Sequence, residues 1–302
     1  MRFLFVDRIV ELIEGKVVRG IKHITADEAF LTQDHTSSPP HFIPSLIGET
    51  LGQLAAWNVM LTQDFKARPV AGIVHEATLL RPTFVGETLS LTSFIDRLDE
   101  KAVEYHSIAH INNEPVFTLE GALGPLLPMQ DFIDDITVRQ QLNAIYQNPS
   151  LRGEAEAIQR PLKPLDCFGF ASQKRSTHFS FDRIIKLDPT LRILAEKKIV
   201  PTAPYFPDHF PNQPVLPLTV LLECIRRLAT TFIETSDFSK SYQLHSFKKI
   251  KMKSFVHPGD IITSELTLKD QTEDTLVLLS QTARERTRIC TLELIFKIGR
   301  KP

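Results

Sequence analysis

Apolar positions change period several times along this chain, and the changes come in the same order twice. Residues 16–25, KVVRGIKHIT, alternate apolar and polar side chains as a half-buried strand does. Residues 44–61, PSLIGETLGQLAAWNVML, then place Leu46, Ile47, Leu51, Leu54, Ala55 and Val59 at helical spacing, with Pro44 where a helix start favours proline. Alternation returns in ETLSLTSFIDRL, residues 87–98. The second half repeats the sequence of elements: a helix over 217–233, PLTVLLECIRRLATTFI, and a strand over 261–270, IITSELTLKD. Turn signals stand at Asn112-Asn113 and Pro258-Gly259. One long helix against an antiparallel sheet, made twice, is the α+β architecture this pattern predicts.

Fixed landmarks support a duplication. FVDRIVEL at residues 5–12 returns as FDRIIKL at 181–187, so that Asp7-Arg8-Ile9 matches Asp182-Arg183-Ile184. His35 follows Asp7 by 28 positions and His209 follows Asp182 by 27; Glu49 follows His35 by 14, and Glu223 follows His209 by 14. Gly86 and Gly259 come 37 and 36 positions after those glutamates. Four landmarks in register predict two copies of one domain, over 1–130 and 176–302, with a connector over 131–175. A helix is expected over 134–147, and the polar, proline-punctuated stretch 148–166 reads as a surface linker.

Composition narrows the partners. With 35 basic and 36 acidic side chains the chain has no global field, so nucleic acid and acidic membrane surfaces are not expected to recruit it. Cys167, Cys224 and Cys290 are odd in number and lack metal-ligand spacing, so neither a disulfide framework nor a metal site is expected. Charge at Asp7 and Arg8 interrupts the opening apolar run too early for a signal peptide, and no apolar run is long enough to span a membrane. A cytoplasmic protein is the expectation.

The candidate chemistry sits in DHFPNQPVLPLTVLLE, residues 208–223. Pro211, Pro214 and Pro217 stiffen the chain after His209 and hold it extended until a helix begins near Leu218 or Thr219. That layout aims a histidine at a helix carrying a lone carboxylate. The first copy keeps Phe30, His35, Glu49 and Gln53 but loses the Phe-Pro after its histidine. His41, followed by Phe42, competes with His35, although only 8 positions separate it from Glu49.

Phe206, His209, Phe210, Pro211, Pro214, Val215, Pro217 and Glu223 resemble the signature of the hot-dog-fold β-hydroxyacyl-acyl-carrier-protein dehydratases, of the FabZ and FabA type. The resemblance implies a double hot-dog, each half an antiparallel sheet wrapped around a central helix, with the two halves standing in for the family's homodimer. It also implies that each site draws its histidine from one copy and its acid from the other. His209 would then face Glu49, and a second site would pair His35 with Glu223. Backbone N–H groups at the helix starts, of Leu218 and Ser45, would polarise the thioester carbonyl. The implied substrate is a 3-hydroxyacyl thioester on the phosphopantetheine of an acyl-carrier protein. The implied chemistry needs no further cofactor, and further association of the pseudo-dimer is open.

A histidine suits removal of the C2 proton because its pKa lies near operating pH. The departing C3 hydroxyl needs a proton, and the apolar neighbours Leu46, Ile47 and Leu51 are expected to raise the Glu49 pKa by desolvation. Asp208 replaces the family's glycine, and its charge is expected to raise the pKa of His209. Lys248, Lys249, Lys251 and Lys253 alternate on a probable strand, either as its solvated face or as a docking patch for an acidic carrier protein. Two other readings stay open: a catalytically silent module that binds carrier protein or scaffolds a partner, and a variant that isomerises or hydrolyses the thioester.

Overall fold

A computed structural model describes residues 2–33, 39–146, 179–236, 238 and 241–298. The first half runs β1 (Arg8–Ile13), β2 (Val17–His23), β3 (Leu31–Thr32), β4 (His41–Phe42), α1 (Pro44–Thr62), β5 (Ala67–Pro69), β6 (Ile73–Leu79), β7 (Thr88–Leu98), β8 (Ala102–Ile111) and β9 (Glu114–Pro128). A helix α2 (Asp135–Ile145) follows, its start capped by Asp134, which accepts from Thr137 N. The second half runs β10 (Arg183–Asp188), β11 (Arg192–Lys198), α3 (Leu218–Glu234), β12 (Tyr242–Met252), β13 (Ile261–Gln271), β14 (Thr275–Arg284) and β15 (Thr287–Ile298). The linker expected over 148–166 and Cys167 lie outside the described residues.

β3 and β4 pair with each other, and the other strands form one antiparallel sheet in the order β1-β2-β7-β8-β9-β6-β12-β15-β14-β13-β11-β10, with β5 paired to the end of β9. Read outward from its centre, each half lays down the same strand sequence, and the halves join where β6 pairs with β12 (Val74 opposite Ile250, Thr78 opposite Ser246). The chain is a double hot-dog, with α1 and α3 as the two central helices.

The duplication extends to single hydrogen bonds. His23 N donates to Asp7 Oδ2 at 2.6 Å, and Lys198 N donates to Asp182 Oδ2 at 2.6 Å. Phe84 N donates to Glu87 at 2.7 Å, and His257 N to Asp260 at 2.8 Å, each beside a glycine at positive φ, Gly86 at +94° and Gly259 at +96°. Side chains there would be strained, which is why glycine recurs at this turn. Arg81 and Arg284 clamp the two turn carboxylates.

The two central helices differ in character. α1 buries 13 of its 19 residues, so it is apolar nearly all round, as expected of a helix enclosed by sheet on one side and a helix on the other. α3 keeps its apolar stripe on Val220, Leu221, Ile225, Leu228 and Phe232 and turns Arg226 and Arg227 to the other side. No described helix is long and apolar enough to cross a membrane.

Candidate active site

The prolines after His209 make a loop rather than an extended strand, and its polar backbone groups are paired. His209 N donates to Tyr205 O at 2.9 Å, and Val215 N donates to His209 O at 3.0 Å. The same loop is tied to the first half through Asn212, which donates from N to Phe132 O and from Nδ2 to Gln130 O. His209 Nδ1 lies 2.9 Å from Val215 O. A carbonyl only accepts, so Nδ1 carries the proton and Nε2 keeps its lone pair. Phe210 stacks on the imidazole at 4.0 Å, and Phe3 meets it edge-on at 6.1 Å.

Glu49 comes from α1, in the other half of the molecule. Its Oε2 accepts from Thr219 Oγ1 at 2.6 Å, and its Oε1 accepts from Gln53 Nε2 at 3.0 Å. Thr219 stands in the first turn of α3, directly after Leu218, so the carboxylate is held against the helix start that follows the histidine loop. Gln53 also accepts from Phe5 N and donates to Phe3 O, which fastens the N-terminal arm beneath the site.

His209 and Glu49 line one cleft with Phe210, Leu218, Thr219 and Gln53. The empty space along the cleft, open solvent at its mouth included, is about 1260 Å³, and apart from these groups its walls are mainly apolar. Burial pushes the His209 pKa below its ordinary value, against the opposing pull of the Glu49 charge; the Arg68 cation pushes the same way as burial. The neutral, base-competent imidazole is therefore favoured. The expectation that Asp208 raises this pKa fails. Its carboxylate is taken up elsewhere, by Arg2 Nε at 3.1 Å and Phe3 N at 2.6 Å, so it latches the N-terminal arm to the loop.

The pseudo-equivalent site is built differently. His35 lies outside the described residues. Glu223 is fully buried, and its oxygens accept from Arg226 at 2.8 and 2.9 Å and from Arg227 Nε at 2.8 Å, with Ser45 Oγ at 3.5 Å. Burial alone would raise its pKa; Arg226 and then Arg227 outweigh that and hold the carboxyl below its ordinary value. Relative to Glu49, the positions of those arginines are occupied by Gly52 and Gln53. The first copy leaves its carboxylate facing open space, whereas the second clamps it.

Leu218 and Ser45 both line the cleft, but the helix starts are not equivalent. Leu218 and Pro44 each begin a helix five positions before its glutamate, and Pro44 has no N–H to offer. Leu218 keeps an amide in a first turn, where intrahelical acceptors are lacking. His41 is buried in β4, with its ring 6.2 Å from Phe84, and is not among the residues lining the cleft.

Of the four lysines on or next to β12, Lys248 pairs with Glu76 at 3.2 Å and Lys249 with Glu293 at 3.1 Å. Lys251 and Lys253 are exposed, flanking Met252 and close to Phe255, both of which line the cleft. Thr219, Tyr105 and Arg68 were not singled out in sequence. Thr219 follows the motif proline by two positions, and that spacing to the helix start was its one available signal. Cys224 and Cys290 are free and buried, and burial pushes both thiols up to about 12, so neither is a nucleophile at neutral pH.

Comparison with known proteins bears on the family and the fold. A 3-hydroxyacyl-[acyl-carrier-protein] dehydratase FabZ from Thermoanaerobacter sp. is 34% identical over 121 residues, covering 39% of this chain and 83% of the relative. The chain belongs to the hot-dog FabZ-type dehydratase family. A second FabZ, from Caldanaerobacter subterraneus subsp. tengcongensis, is 37% identical over 122 residues, 39% of this chain and 84% of its own. The ApeI-like family, described as ApeI dehydratase, matches residues 187–291. Among solved structures, a protein described as an oleoyl thioesterase from Lactobacillus plantarum has the same fold over 94% of this FabZ-type chain and 97% of its own, with TM-score 0.57 at 9% identity. The 12:0-ACP thioesterase from Umbellularia californica covers 94% of each chain with TM-score 0.51 at 12% identity.

Proposed function

We propose that this FabZ-type protein dehydrates a 3-hydroxyacyl thioester, carried on an acyl-carrier protein, to the trans-2-enoyl thioester at one site built by both halves. The observation that carries this reading is the meeting of His209, with its Nε2 lone pair exposed by the Val215 hydrogen bond, and Glu49 in one apolar cleft.

Each group then has a step. Nε2 of His209 takes the C2 proton, and negative charge moves onto the thioester oxygen, where the Leu218 amide and the start of α3 oppose it. The C3–O bond breaks as a proton is delivered through Glu49, whose carboxyl is oriented by Thr219 and Gln53. Glu49 gives its own proton to the leaving hydroxyl and is reprotonated by the proton that His209 took, so water and the enoyl thioester are the only products. The balance involves no oxidation or reduction and calls for no cofactor or metal. Lys251 and Lys253, exposed beside the cleft, fit an acidic carrier protein whose phosphopantetheine enters past Met252 and Phe255. Fatty-acid synthesis or a polyketide-like assembly is the setting that such a reaction serves.

The reading supports one live site. The Glu223 carboxylate is saturated by two arginines and cannot pass a proton to a substrate without breaking a buried ion cluster. The test is enoyl formation from 3-hydroxyacyl-carrier-protein thioesters of several chain lengths, with thiol release followed in parallel. Enoyl product without thiol release is expected. Thiol release alone would replace dehydration by hydrolysis, and no turnover by folded protein would favour a silent binding module.

A further inference from the structure

Arg68 has no partner within the described chain that matches its charge. It stands on β5, the short strand off the main path of the sheet, and its side chain lines the same cleft as His209 and Glu49. The guanidinium carbon lies 4.2 Å from the centroid of the Phe210 ring. Nε is buried and has no hydrogen-bond acceptor. Among the described residues Arg68 makes no ion pair; Glu49, within range of its field, already accepts from Thr219 and Gln53. Burial pushes the Arg68 pKa down only to about 10, so it stays a cation at neutral pH. A half-buried cation whose Nε–H is buried and idle is costly to a fold, and a ligand can supply the missing acceptor.

The neighbours of Arg68 limit where that acceptor lies. His209 and Arg68 each lie against the Phe210 ring, at 4.0 and 4.2 Å. The two side chains thus share one aromatic ring, and the Arg68 charge is felt at His209. Arg68 donates to neither His209 nor Glu49, the two groups assigned to C2 and C3, which leaves its donors for another part of the substrate. Counted from the two glutamates Tyr242 answers to Arg68 in the second copy, and counted from the two turn glycines Ser241 does, so the duplication itself does not call for a cation here.

We propose that Arg68 is a specificity residue that binds an anionic oxygen of the thioester substrate, remote from its reacting carbons. The proposal rests on the dehydratase reading of this cleft. Two parts of such a substrate can carry the oxygen: a carboxylate on the acyl chain, or the phosphate of the pantetheine arm. Both suit a side-on guanidinium whose Nε–H is idle.

The experiment compares three 3-hydroxyacyl thioesters of equal chain length: a pantetheine thioester ending in methyl, a pantetheine thioester ending in carboxylate, and a phosphopantetheine thioester ending in methyl. Wild type is expected to favour at least one anionic substrate by about tenfold or more in kcat/KM, expressed mainly in KM. Preference for the carboxylate assigns the contact to the chain, and preference for the phosphate assigns it to the arm. Arg68→Met is expected to abolish the preference and Arg68→Lys to retain part of it, both with an unchanged unfolding midpoint. Calorimetric binding of the matching saturated acyl thioesters to wild type gives the same comparison without turnover, so failure of dehydration and failure of this contact are separately visible. Equal treatment of all three compounds by wild type, or a preference that survives in a folded Arg68→Met protein, would overturn the proposal.

Discussion

The role proposed for His209 depends on a hydrogen bond and on burial. Val215 O fixes the tautomer, and the walls of the cleft hold the imidazole neutral. A histidine pKa below 6.5 leaves the base form populated further into acid, so the acid limb of the pH profile of kcat/KM is expected to have its midpoint below 6.5. A midpoint above that value would mean that the Glu49 charge outweighs desolvation. Thr219 is the other supporting residue. Removing its hydroxyl in Thr219→Val leaves Glu49 Oε2 without its 2.6 Å donor, and kcat is expected to fall about tenfold with little change in KM. Glu223 answers to a different measurement. Glu223→Ala strands Arg226 and Arg227, whose side chains are 14% and 15% exposed, and is expected to lower unfolding free energy by about 3 kcal/mol in denaturant titration. Below its lowered unfolding transition, that variant should keep turnover.

The contrast between α1 and α3 is where one ancestral element has taken two courses. The three residues after the first glutamate end in Gly52, and a Cβ there would meet only the Tyr105 hydroxyl, at an ordinary 3.5 Å. The corresponding place on α3 holds Arg226, which closes on its own glutamate. Gly52→Arg therefore transplants the clamp. It is expected to reduce turnover by about a hundredfold or more through capture of Glu49, while exchange of glycine in a helix interior raises helix propensity by up to about 1 kcal/mol. Loss of activity with a preserved or raised unfolding midpoint is the result that checks this.

Much of this was legible in the amino-acid order, for a physical reason. Helical spacing along α1 and the prolines after His209 are local signals, and a duplicated chain prints them twice. The partnership of His209 with Glu49 was legible only through the family resemblance, because nothing in spacing links residues on different halves. Arg68 and the Arg226–Glu223–Arg227 cluster were not legible. Three charged residues on a helix read as a solvated face until the packing shows them turned inward. The Asp208 expectation failed for a related reason: its true partners, Arg2 and the Phe3 amide, lie more than 200 residues away.

Across the molecule, the continuous sheet makes the site a property of both halves. The β6–β12 pairing supplies the seam, and the histidine loop is pinned across it by Asn212. Residues 1–146 and 179–302 produced as separate chains are accordingly expected to copurify and to dehydrate substrate together, and neither should do so alone. The second half by itself would offer His209 only a Glu223 already held by two arginines. The most direct measurement is the conversion of a 3-hydroxyacyl-carrier-protein thioester to its 2-enoyl product by wild type, His209→Ala, Glu49→Ala and His35→Ala. The account predicts that the first two substitutions each cost at least about a hundredfold while His35→Ala leaves turnover intact. Turnover that survives loss of Glu49 but disappears with His35 would place the chemistry in the other copy and contradict it.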